Sequence, residues 1–232
     1  VALAPREIHV WRVRLDCDES LHQRLEATLS AEEIARANRF FFPRDRQCFI
    51  AARGILRTLL AGYLRLAPAH IDFTYRPQGK PYLLSTPSAP PISFNISHSH
   101  GVALLAFSQS RELGIDVERI RPDIACDEIA RRYFAHREIA ELHSLPPAQR
   151  PEAFFLCWTR KEAYMKALGQ GLQMPLTSFR VSLTPGQPAS LESADKDRWQ
   201  LYSIAPFPNY AAALVAEGHD AHLQLLDWQP AY

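Results

Sequence analysis

Asp116 and Glu118 stand two apart in the run LGIDVERI, with Val117 between them and Ile115 before them. Side chains two apart on a β-strand point the same way. Leu113, Ile115 and Val117 would therefore share one face, and the two carboxylates would sit side by side on the other. Like charges held that close raise each other's pKa unless something positive lies between them. Three explanations are open for the pair: a solvated strand face, a basic side-chain partner, or a metal ion.

A second set of ionisable groups lies in PEAFFLCWTRKEAYMKALG, whose apolar spacing predicts a long helix ending at Gly169. Residues on a helix advance about 100° each, so Met165, Trp158, Cys157 and Leu168 fall within roughly 60° of Phe154 and form a buried stripe. Glu162 lies on the edge of that stripe, with Lys166 one turn on. Lys161 falls near its centre, where a solvated lysine is not expected. Glu162 and Lys166 could be an ordinary surface pair, with Lys161 snorkelling out of the core. Set beside the strand acids, Glu162 completes a group of three carboxylates, and hard oxygen ligands of that kind suit Mg²⁺ completed by substrate phosphates.

The turn NISHSHG offers Ser97, His98, Ser99 and His100. It could be a plain polar hairpin turn or one that donates hydrogen bonds to an anion; no third soft ligand accompanies the histidines to support zinc. Arg36, Arg39, Arg44, Arg46, Arg53 and Arg57 crowd one stretch, and arginine's planar fork suits phosphate. Lys80, in a GKP loop, could reach towards a cleft.

These residues need elements to hold them. EIHVWRVRLD reads as an opening strand, and Ser30 with Glu33 has capping-box spacing for a helix from Ala31. DRQCFIAARGILRTLLAGYLRL reads as a helix, RPQGKPYLLSTPSAPP as a loop, and ISFNISHSHGVALLAFS as two strands around His98 to Gly101. The second half repeats this order: RRYFAHREIAEL echoes NRFFFPRDRQCF, and after the long helix come FRVSL, RWQLYSI and YAAALVA, the last in the place of GVALLAF. We expect an α+β fold of two similar halves related by a pseudo-twofold duplication, residues 1–110 and 111–232. A ligand cleft is expected between them, with the metal site on the second half.

Composition narrows the functional class. Apolar residues make up 47% and charged residues 22%, which is globular, and the net charge of +1 gives no global attraction for polyanions. The expectation is no nucleic-acid partner. No apolar run reaches membrane-spanning length, no signal-peptide pattern opens the chain, and the four cysteines form no Cys-x-x-Cys pair, so the cytoplasm is the expected compartment.

Four motifs in order resemble the Sfp-type 4′-phosphopantetheinyl transferases: GKP at 79–81, FNISHS at 94–99, GIDVE at 114–118 and WTRKEAYMKALGQGL at 158–172. The resemblance covers nearly the whole chain. It implies transfer of the phosphopantetheine arm of coenzyme A to a serine of an apo carrier protein, acyl, peptidyl or aryl, with Mg²⁺ required and adenosine 3′,5′-bisphosphate released. It also implies a monomer of two similar halves with coenzyme A between them. Carried over motif by motif, Asp116, Glu118 and Glu162 would hold Mg²⁺, with Asp116 also set against the cofactor's pyrophosphate. Glu162 would take the proton of the carrier serine, directly or through a water, and Lys166 would bind the pyrophosphate and protonate the departing phosphate. Lys161 would share those surroundings. Ser97 and His98 would contact coenzyme A phosphates, Lys80 the nucleotide end, and Arg53 and Arg46 the 3′-phosphate, although Cys48 stands where other members have a basic residue. A Mg²⁺-dependent phosphohydrolase and a non-catalytic carrier-binding module are the rival readings.

Overall fold

The computed structural model describes residues 2–84, 91–124, 126–169 and 174–230. In it β1 (Glu7–Arg14) leads through α1 (Glu19–Glu26), α2 (Ala31–Ala37) and α3 (Pro43–Leu64), then a short pairing of β2 (Thr74–Tyr75) with β3 (Pro81–Tyr82), to the hairpin of β4 (Ile92–Ser99) and β5 (Val102–Gln109). The series then recurs. β6 (Leu113–Arg119) leads through α4 (Cys126–Tyr133), α5 (His136–Ser144) and α6 (Arg150–Leu168), then a short pairing of β7 (Arg180–Val181) with β8 (Leu191–Glu192), to β9 (Trp199–Ile204) and β10 (Tyr210–Glu217). The strand order is β1-β5-β4 in one sheet and β6-β10-β9 in the other, every neighbour antiparallel. This is an α+β fold of two like halves. Its asymmetry is β11 (His222–Asp227), which returns to the first sheet and pairs in parallel with β1. The chain therefore crosses back over a division at 110/111.

Local chemistry accounts for the elements. Ser30 and Glu33 form the expected capping box, each side chain accepting the other's amide. The β4–β5 turn puts His100 at φ 48° and Gly101 at φ 81°, both left-handed, the twist that suits a two-residue hairpin. Helix α6 stops at Gly169, φ 66°. Residues 85–90 of the proline-rich loop and 170–172 of the last motif lie outside the described residues. No described helix is long and apolar enough to cross a membrane.

Three apolar clusters hold the layers. One lies between α1, α3 and the first sheet, and one between α4–α6 and the second. The third joins the sheets: Ile8, Val10, Leu104 and Ala106 meet Leu113, Ile115, Val117 and Leu214. The apolar face of β6 thus turns to the opposite sheet, as its alternation requires, and Gly114, Asp116 and Glu118 take the α6 side. Burying an aliphatic side chain contributes about 1.5–3 kcal/mol. A one-residue slip would drive both acids into that core, so the register of β6 is strongly set.

Candidate active site

Strands β4 and β6 are edges of different sheets and meet side by side. They are joined through side chains. Asn95 Oδ1 accepts the Ile115 amide at 2.9 Å, Ser97 Oγ the Val117 amide at 3.3 Å, and Ser99 Oγ the Arg119 amide at 3.3 Å. The carbonyls of the same edge take lysines: Lys80 Nζ donates to Leu113 O at 2.9 Å and Lys166 Nζ to Ile115 O at 3.2 Å. An edge of unpaired backbone groups is thereby satisfied without a further strand. The two serines also reach the acids, Ser97 Oγ donating to Asp116 Oδ1 at 2.8 Å and Ser99 Oγ to Glu118 Oε2 at 2.6 Å.

Helix α6 brings the third acid. A cleft of about 640 Å³ is lined by Ser97, His98, Asp116, Glu118, Glu162 and Lys166, with Tyr133 and Trp158 as aromatic wall. The helix comes this close because Gly114 has no side chain. A Cβ there would stand 2.2 Å from Ala163 O and 2.3 Å from Ala167 N. Lys166 Nζ lies 2.6 Å from Asp116 Oδ1 and 3.2 Å from Ser97 Oγ. Burial raises the pKa of Glu162, and the charges of Asp116 and Glu118 push the same way while Lys166 opposes them. Burial also raises that of Glu118, against the Ser99 hydrogen bond. His98 is lowered by the protein around its ring and then by Lys166, so at neutral pH it is an uncharged hydrogen-bonding group.

Of the three explanations for the strand pair, a basic partner accounts for one oxygen of Asp116. The other oxygen, Oδ2, is buried and has no hydrogen-bond partner among the described residues. A buried carboxylate oxygen left unpaired is costly and is ordinarily met by a water or a cation. Among the described residues no three His, Cys, Asp or Glu side chains are already gathered as ligands of one ion. The acids share a cleft without closing into a cage, as mutual repulsion dictates while Lys166 supplies the positive charge. Asp116 Oδ2, with the carboxylates of Glu118 and Glu162 lining the same cleft, is the kind of hard oxygen donor that suits a divalent cation.

Other expected site residues have partners elsewhere. Lys161 is fully buried and does not line the cleft. Its Nζ is 2.8 Å from Glu138 Oε2 and donates to Leu176 O at 2.7 Å and Phe179 O at 2.8 Å. Glu138 also accepts the Ala135 and Val181 amides, so the pair ties α5 and α6 to the segment entering β7. Lys161→Ala is expected to cost about 3–5 kcal/mol of stability by leaving a buried charge unpaired. A lowered denaturant midpoint checks this; an unchanged one would mean the two amides alone satisfy Glu138. Lys80 lines a smaller adjoining cavity of about 240 Å³ with Gly79, Asn95, Glu162 and Lys166, but its ammonium is committed to Glu112, Leu113 O and Lys166 O.

Arg53 lies against Glu33 at 2.6 Å and also donates to Tyr75. Arg46 lies against Glu26 at 2.6 Å. Arg36 and Arg39 line an open cavity of about 580 Å³ with Phe40, Tyr75, Glu32 and Glu33. Sequence reasoning placed both in the basic run without singling them out. Asn95 alternates with Ser97 and Ser99 on one strand face, but of the three only Ser97 was given a role from the sequence.

The sequence model of the 4′-phosphopantetheinyl transferase superfamily matches residues 112–215, and that described as 4′-phosphopantetheinyl transferase, N-terminal, matches residues 17–110. The chain is 42% identical over 232 residues to the 4′-phosphopantetheinyl transferase HetI of Nostoc sp., covering 100% of this chain and 94% of that protein. It is 30% identical over 174 residues to the 4′-phosphopantetheinyl transferase Sfp of Bacillus subtilis, covering 75% of each. Among solved structures, a holo-(acyl-carrier-protein) synthase from Bacillus anthracis in complex with CoA (3′,5′-ADP) aligns at 21% identity with a TM-score of 0.41, over 47% of this chain and 96% of that one.

Proposed function

We propose, because the chain belongs to the 4′-phosphopantetheinyl transferase superfamily, that the acid-lined cleft moves the phosphopantetheine arm of coenzyme A onto a serine of an apo carrier protein. Mg²⁺ dependence and release of adenosine 3′,5′-bisphosphate are part of the proposal. The observation that carries it is the buried Oδ2 of Asp116, without a hydrogen-bond partner among the described residues, in a cleft that also holds Glu118, Glu162 and Lys166. Asp116, Glu118 and Glu162 would hold Mg²⁺, which when bound would offset the charge of the diphosphate and of the leaving phosphate.

The chain's own groups do the rest. As the serine oxygen bonds to the phosphorus on the pantetheine side, the P–O bond to the nucleotide breaks. Glu162 accepts the serine proton, directly or through a water. Lys166 shifts its ammonium from Asp116 to a diphosphate oxygen and gives a proton to the departing phosphate. Ser97 and His98, which line the cleft, would contact coenzyme A phosphates. Arg36 and Arg39, which line the open cavity beside Tyr75, would join Arg53 and Arg46 as candidates for a nucleotide phosphate. A single chain carries both halves of the cleft, which favours action as a monomer of two halves.

The test is incubation with coenzyme A and a panel of apo carriers, read by intact mass. A carrier that gains the phosphopantetheine mass in Mg²⁺ and not in EDTA is the expected result. Cleavage of coenzyme A with no mass gain on any carrier would make the protein a phosphohydrolase.

A pH prediction follows from the raised acids. Burial and mutual repulsion favour the protonated forms of Glu118 and Glu162 in the folded chain, so their contribution to stability is full below the ordinary value of 4.5 and is lost as pH rises through their folded values. At neutral pH their charge opposes folding. Added Mg²⁺ with coenzyme A is therefore expected to raise Tm more at pH 7.5 than at pH 5. Equal gains would disconnect the two acids from the bound ion.

A further inference from the structure

We propose that Ser99 is a positioning residue for the reaction, its hydroxyl fixing Glu118 at the seam between the two sheets. This rests on the reading of the acids as holders of a divalent cation. Ser99 is 7% exposed, and its oxygen has three neighbours: Glu118 Oε2 at 2.6 Å, the Arg119 amide at 3.3 Å and His100 Nδ1 at 3.0 Å. The hydroxyl has one hydrogen. The short, charge-assisted bond to Glu118 takes it, so His100 has to present Nδ1–H to the same oxygen. Ser99 is thus held from two sides with its only donor aimed at the acid.

Ser97 does the same for Asp116, and both pairs are separated by 19 residues in sequence. Hydroxyls two apart on β4 match carboxylates two apart on β6, rung for rung. Because the same serine oxygens accept the β6 amides, the seam's register and the acids' orientation are set by the same atoms. Without the Ser99 hydroxyl, Glu118 loses the bond that selects its rotamer, while its Cα stays in place through the β6–β10 pairing. Hydrogen-bond partners of metal-holding carboxylates typically account for 10–100-fold in metal affinity.

The experiment uses the full chain with coenzyme A present and Mn²⁺ as the probe, free Mn²⁺ being counted by electron paramagnetic resonance. Ser99→Ala is expected to weaken Mn²⁺ binding about 10–100-fold and to raise the Mg²⁺ concentration for half-maximal rate in parallel. Ser99→Thr, which keeps the hydroxyl, is expected to restore both. Wild-type Mn²⁺ affinity in Ser99→Ala, with or without a lower Tm, would overturn the assignment and leave the hydroxyl a packing group. Should the alanine variant not fold, Ser99→Cys, with a weaker donor of similar size, is expected to show a smaller shift the same way; no shift overturns the proposal. A wild-type chain that retains no Mn²⁺ would remove the reading of the acids themselves, an outcome distinct from equal binding by wild type and variant.

Discussion

Asp116→Ala is expected to lower carrier modification by at least about 10²–10³-fold, the loss typical of removing one preorganised electrostatic group from a reacting centre. The fold should survive. The side chain lies on the α6 side of β6, away from the inter-sheet core formed by Leu113, Ile115 and Val117. Its removal takes out a buried oxygen that no group among the described residues satisfies and relieves the repulsion acting on Glu162 and Glu118. Ser97 keeps the Val117 amide, and half-buried Lys166 can turn to solvent. The measurements are kcat on a carrier panel and Tm of the free protein, with Tm unchanged or slightly higher. An insoluble variant, or one with near-native turnover, would give Asp116 a structural role instead.

Gly114→Ala is expected to damage both stability and rate. The added carbon would stand 2.2 Å, 2.3 Å and 2.7 Å from Ala163 O, Ala167 N and Lys166 C of α6. All three are backbone atoms, so no rotamer change relieves the clash, and helix and strand have to part. Overpacking a core costs about 1–3 kcal/mol and occasionally more; a backbone-on-backbone collision belongs at the upper end or beyond, roughly 3 kcal/mol. The shift would also carry Glu162 and Lys166 away from Asp116, and a displacement of about 1 Å can lower a rate 10²-fold. Denaturant titration and steady-state kinetics check the two effects. Wild-type values in both would mean that the contact relaxes at no cost and that the glycine does not set the helix–strand distance.

Much of this architecture was legible because period and punctuation agree. Alternation placed the acids opposite Leu113, Ile115 and Val117, the 3.6-residue period placed Lys161 in the centre of the buried stripe of α6, and Ser30 and Glu33 marked a helix start. The structure keeps Lys161 where the period puts it, paired with Glu138, whereas family resemblance alone drew it towards the cofactor. Pairings over long sequence distance were not legible. Nothing local says that Arg53 will find Glu33 or that Arg46 will find Glu26, because a guanidinium shows its donor fork but not the acid that fills it. The same holds for HLQLLD, whose pairing with β1 depends on an edge more than two hundred residues upstream. Helix α1 was also missed, its cap being Asp18 in a polar stretch with only Leu25 buried. The meeting of β4 with β6 was invisible for a different reason. Asn95, Ser97 and Ser99 look like any polar strand face until a second edge lies beside them.

That seam divides the labour between the two copies of the unit. The later copy owns the three acids of the cleft, and the earlier copy owns the hydroxyls that bond two of them and the Asn95 side chain that ties the same strand edge. A chain reduced to either copy would keep its own hydrophobic layer but would lack half of the reacting centre, and could regain it only by borrowing the complementary edge from another molecule. Covalent fusion of the copies makes that encounter intramolecular, and so independent of protein concentration.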